Sequence, residues 1–244
     1  MLAGLRSLLT LPFLLLPSLA CGYSVVFSPT ATPQPTPDPL AAYVRWPLVL
    51  QDTFSEPKND WEVGDDIEGE YATGRLSVRN GKYRWEVTAM QAVVWWSLAL
   101  KDTFTTDFYA VVEARHVSGA SEADCGLIFR NDGDNYYYLQ VNDTGHYAAY
   151  LYHAGEWTEL IALTETGAIR PGRVNKIAVV GEGKHFTFFI NGKWVGEVRD
   201  ATLRAGSVGV AVEIHDAGES AVFEFDNFEW RAPREAVTQA TAEP

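Results

Sequence analysis

Arg130, Tyr138 and Gln140 are the side chains of this sequence whose types and spacing best suit a polar ligand. In Gly126–Arg130, a period of two puts Leu127 and Phe129 on one side, Ile128 and Arg130 on the other. In the following stretch Tyr137, Leu139 and Val141 form the apolar set, leaving Tyr136, Tyr138 and Gln140 opposite. Arg130, Tyr138 and Gln140 are therefore expected to share one face. Trp95 and Ser97 are expected there too, with Val94, Trp96 and Leu98 turned toward the core. Rings that cover C–H edges, beside a guanidinium and an amide that meet hydroxyls, would suit a saccharide. The alternative is that these rings only pack between sheets and Arg130 pairs with a carboxylate.

Hydrolytic chemistry on a glycoside needs two carboxyl groups about 5–5.5 Å apart on rigid positions for retention. The densest acidic run, Asp65-Asp66-Ile67-Glu68-Gly69-Glu70, would place Asp66, Glu68 and Glu70 on one side if extended. Its surroundings read as a solvated loop. No catalytic residue is assigned, although Glu113 and Glu122 are further carboxylates an enzyme could use. The histidines, at 116, 146, 153, 185 and 215, show no His-x-x-x-His spacing of a zinc site. No cofactor is required by the sequence. A structural Ca²⁺ is one candidate, held by Asp52 in the first strand and Asp226 in the last, since hard oxygens suit that ion. The same Asp226-Asn227 pair fits a bulge, because Phe223 and Phe225 have the opposite parity to Phe228 and Trp230.

The elements that must position these groups are strands. Fourteen are expected between residues 46 and 230, at short regular spacing and with no helix-length periodicity. Asn80-Gly81 and Asn191-Gly192 are two-residue hairpin signals. The pattern implies an all-β, two-sheet antiparallel sandwich over residues 44–232. Before it, residues 1–20 have the charge, apolar core and small-residue end of an export signal, too short to span a bilayer. Its end resembles the lipobox of bacterial lipoproteins, with Cys21 as the lipidation candidate and Ser18 as a departure from the pattern. Residues 21–43 are rich in Pro and Thr and read as a tether. Residues 233–244 read as a disordered tail. Cys125, the one other cysteine, is expected to be free and buried. With a net charge of −13, the surface would repel nucleic acid.

The stretches DTFSEPKNDW, GLIFRNDGDNYYYLQV, RVNKIAVVGEGKHFTFFINGKWVGEV, GSVGVAV and FEFDNFEW resemble concanavalin A-like (laminin-G-like) jelly-roll modules. The nearest variety is the bacterial one labelled 3-keto-disaccharide hydrolase or family-16-glucanase-like. The resemblance runs from Asp52 to Trp230 and implies a jelly roll whose concave face commonly binds sugars. The Glu-x-Asp-x-x-Glu strand of family-16 glucanases does not occur here, so no active site is carried across. The expectation is a noncatalytic carbohydrate-binding module, exported and anchored to a membrane through lipid on Cys21, with an oligo- or polysaccharide as partner. Two other readings stand beside it: a glycoside or keto-disaccharide hydrolase, and an extracellular protein-interaction or sensing module.

Overall fold

The computed structural model describes residues 38–239. The expected leader, the lipidation candidate Cys21 and most of the tether lie outside these residues. In chain order the strands are β1 (Leu48–Asp52), β2 (Gly64–Glu68), β3 (Ala72–Arg79), β4 (Lys82–Ala89), β5 (Val93–Leu98), β6 (Thr103–Thr105), β7 (Phe108–Gly119), β8 (Asp124–Asn131) and β9 (Tyr136–Asn142). They continue with β10 (His146–His153), β11 (Glu156–Glu165), β12 (Asn175–Glu182), β13 (His185–Ile190), β14 (Lys193–Arg199), β15 (Ser207–Ile214), β16 (Ser220–Arg231) and β17 (Val237–Gln239). The described residues hold no α-helix.

Two antiparallel sheets carry the fold. A nine-stranded sheet runs β14-β13-β12-β7-β16-β4-β3-β2, with β1 also paired to β16; a six-stranded sheet runs β11-β10-β9-β8-β15-β5. The core lies between them. Trp85, Phe186, Phe188, Phe223, Phe225, Phe228 and Trp230 come from the larger sheet and meet Leu127, Phe129, Tyr137, Leu139, Val208, Val210 and Val212 from the smaller. The hairpins turn where the sequence requires: Asn80, Gly81, Asn191 and Gly192 all have φ between +52° and +76°, the conformation of two-residue turns that match strand twist. The anticipated slip in β16 is a bulge between Asp226 and Glu229, which keeps Phe223, Phe225, Phe228 and Trp230 all in the core.

Three strands fall outside the sequence expectation. The acidic run expected as a loop forms β2, an edge strand whose bulged register leaves Asp65 and Asp66 exposed. The expected tail is ordered through Gln239, because Val237–Gln239 pairs with Thr103–Thr105. At the other end the packed body begins before residue 44. Leu40, Tyr43 and Trp46 close over Tyr109, Val111, Ala178, Val180 and Phe189 on the outer face of the larger sheet. Proline-rich composition upstream hid that short apolar patch. Cys125 is free and buried as expected, and burial pushes its thiol up.

Candidate functional site

The outer face of the six-stranded sheet is built in rows by register. Gly126 lies between Gln140 and Ala211, and Ala211 opposes Trp96. One row further, Ile128 lies between Tyr138 and Gly209, and Tyr138 opposes Tyr150. Tyr136 opposes Tyr152, which opposes Trp157. The small residues Gly126, Gly209 and Ala211 leave the middle strands low, so rings from the flanking strands lean together. Trp96 from β5 reaches Tyr136 from β9 at 6.2 Å between centroids. Tyr136 continues to Tyr152 at 5.4 Å, and Tyr152 to Trp157 at 4.9 Å. Trp157 ends this aromatic run and is 46% exposed.

At its Trp96 end the run opens into a cleft of about 850 Å³. Trp61, Tyr71, Trp95, Trp96 and Phe104 supply its apolar lining, and Asp60, Glu62, Glu70, Lys101, Asn131 and Asp132 its polar groups. The walls are fixed by hydrogen bonds. Glu62 accepts from the Trp95 indole at 2.8 Å, and its amide donates to Ser97 Oγ at 2.8 Å. Asp60 accepts the Lys101 amide at 2.9 Å, and Asp132 accepts from the Asn135 amide at 2.8 Å. Tyr71 stands exposed on the opposite wall, where Glu70 above all, and more weakly Tyr152, push its hydroxyl pKa up. Asn131 is fully buried; its Oδ1 accepts the Gly133 amide at 2.8 Å, while its Nδ2 has no partner.

Two of the four expected contact residues lie elsewhere. Arg130 is the extra residue of a bulge: Phe129 opposes Val208 and Asn131 opposes Ser207, with Arg130 at φ +50° between them. The bulge turns its side chain off the ligand face. The guanidinium is buried over the Phe186 ring at 4.6 Å and donates to the carbonyls of Leu203 and Thr106, both at 2.6 Å, and of Gly183. It clamps three loops and meets no solvent. Trp95 points to the sandwich interior, edge-on to Trp85, and Trp96 takes the outer face in its place. Trp95 still lines the cleft, because β5 is an edge strand and the cleft reaches around it. Tyr138 and Gln140 do share the expected face, but both are buried, and Tyr138 Oη and Gln140 Oε1 have no partner.

The Asp52 and Asp226 carboxylates are each engaged by protein. Asp52 accepts the Phe54 amide at 2.8 Å, Asn59 Nδ2 at 2.5 Å and the Trp61 indole at 3.0 Å, capping the loop after β1. Asp226 pairs with Lys82 and accepts the Asn227 amide at 2.7 Å. The calcium expectation therefore finds its two carboxylates committed to separate partners. Glu113 binds Asn227 Nδ2 at 2.9 Å on the larger sheet.

The sequence reading passed over a third grouping, at the end of the six-stranded sheet away from Tyr136. Asp124 on β8 opposes Glu213 on β15, and His215 follows two residues later on the same side. His215 Nε2 lies 2.8 Å from Asp124 Oδ2, and its Nδ1 lies 3.6 Å from Glu213 Oε1. The bond to Asp124 lifts the imidazole pKa to about 9. Burial raises Glu213 to about 7 and pushes Asp124 up against the pull of His215. The alternating Glu-Ile-His at the end of β15 and just past it was a legible signal for one side of this group; its partner strand was not.

Residues 97–210 match the family model of the concanavalin A-like lectin/glucanases superfamily. The fold is that of a concanavalin A-like jelly roll. Solved structures agree at the level of fold. The carbohydrate binding module CBM66 from Bacillus subtilis superposes with a TM-score of 0.54 at 17% identity, over 71% of this chain and 96% of that one. The catalytic domain of an endo-1,3-β-glucanase (laminarinase) from Thermotoga petrophila RKU-1 does so with a TM-score of 0.52 at 10% identity, over 78% and 98%. No curated protein matches the chain significantly. At these identities the superpositions establish the jelly roll, and function has to be argued from the cleft.

Proposed function

We propose that this jelly roll binds a carbohydrate chain without cleaving it, in the cleft at β5 and along the run from Trp96 to Trp157. One observation carries the reading: a continuous aromatic run leads into an open cleft that holds an exposed cationic donor, Lys101. Pyranose and furanose rings offer apolar C–H faces to such rings and hydroxyl oxygens to such a donor. Run and cleft together are longer than one sugar needs, which favours an oligo- or polysaccharide. The likeness to a carbohydrate binding module and to a glucanase supports the ligand class.

Binding without turnover is the reading the cleft carboxylates favour. Asp60, Glu62 and Asp132 each accept a protein donor that shapes the wall, which leaves Glu70 as the further carboxylate of the lining, whereas glycoside hydrolysis calls for a positioned pair. The export signal at residues 1–20, Cys21 as lipid anchor and the Pro/Thr tether would display the module at the cell envelope.

The test is a glycan array probed with the full chain, with product release monitored. Binding that falls in Trp96→Ala and Tyr71→Ala, with no product, supports the reading. Turnover of any glycan would replace it with the hydrolase reading. An array without a single ligand would favour a protein-interaction module.

A further inference from the structure

We infer that Asp124, Glu213 and His215 form a binding site for a first-row divalent transition ion of the zinc type, distinct from the carbohydrate cleft. The three offer one ligand atom each within 4.8 Å of one another. Their placement follows from the strands. Glu213 and His215 flank the buried Ile214 and leave β15 on one side, and cross-strand pairing brings Asp124 opposite Glu213. Two carboxylates and one imidazole are a donor set that zinc accepts with a fourth position open. Calcium, which prefers six to eight oxygens, is poorly served by it.

A salt-bridged histidine alone does not account for the surroundings. Asp124 is 1% exposed, and His215 meets only Oδ2; the side-chain amides of Gln140 and Asn142 lie near the carboxylate, yet Oδ1 is buried with no donor at hydrogen-bond distance and angle. A buried carboxylate oxygen without a well-placed donor costs free energy unless something positive meets it. A cation between Asp124 and Glu213 would satisfy Oδ1 directly. The imidazole can bind through only one nitrogen. Its side chain is 42% exposed, so the ring has room to turn, exchanging its proton for the metal.

The test uses the full chain stripped with a chelator, then titrated calorimetrically with Zn²⁺ and separately with Co²⁺ as a visible-absorbing probe. One ion per chain is expected, with Co²⁺ d–d absorption and a melting temperature that rises with free Zn²⁺. His215→Ala and Glu213→Gln are each expected to weaken binding at least about tenfold. His215 is exposed enough that its removal leaves the fold intact, which near-ultraviolet circular dichroism verifies. Absence of saturable Zn²⁺ or Co²⁺ binding in the wild type would overturn the inference. So would undiminished affinity in folded His215→Ala, or uptake of Ca²⁺ in place of both transition ions.

Discussion

The two sheets of this sandwich present outer faces of opposite character. On the nine-stranded sheet most outer groups are answered from within the chain, the buried His185 Nε2 excepted. Leu40, Tyr43 and Trp46 cover its apolar patch, and several of its charges are paired: Arg84 with Glu86 and Glu224, Lys82 with Asp226, Arg231 with Glu229. On the six-stranded sheet and at its β5 edge, the Tyr138 hydroxyl, Gln140 Oε1, Asp124 Oδ1 and the Asn131 amide nitrogen go without partners, and Trp157 stands in solvent. Folding alone selects for satisfied polar groups. A face on which departures from this cluster marks where ligands are to be sought.

The largest test of that contrast lies at neither face. Arg130→Ala removes a buried guanidinium from three carbonyls and should cost about 3 kcal/mol or more of stability in urea unfolding. A loss under about 1 kcal/mol would show that the clamp is not structural. Gly206→Ala should approach that size, since the added methyl would sit 2.2 Å from the Arg130 carbonyl carbon; a folded variant of wild-type stability would refute the close approach. Next comes Trp96→Ala. Loss of its ring should weaken binding of the best array ligand about tenfold or more, read by calorimetry, because the ring joins the aromatic run to the cleft. Equal affinity in wild type and variant would move the ligand away from this face. The smallest change is expected on the answered face. Arg84→Ala breaks partly exposed ion pairs and should shift stability by no more than about 1 kcal/mol, without effect on glycan affinity. A loss of affinity there would erase the distinction between the faces.

Much of the candidate site was readable and still misassigned, for two local reasons. The alternation through Gly126–Arg130 holds as far as Phe129, then one inserted residue sends Arg130 into the interior. In β5 every position from Val93 to Leu98 is apolar or small on both sides, so nothing in the order of residues says which tryptophan faces out. A shift of one residue exchanges the two faces completely. Asn131 and Tyr71 gave no signal at all, since segments far apart in sequence, the end of β8 and the β2–β3 connection, bring them to one cleft.

By itself, the sequence determined the fold class. Turn residues with φ > 0 and the succession of short strands are local properties, and both held in the structure, as did the bulge at Asp226-Asn227 and the buried, free Cys125, whereas the period of two failed at Arg130 and in β5. Which side chains meet a ligand was decided only by tertiary structure. Bulge positions, the coverage of an edge strand and the pairing of Asp124 with Glu213 depend on contacts between distant segments. These are settled by packing and by the need of every buried polar atom for a partner.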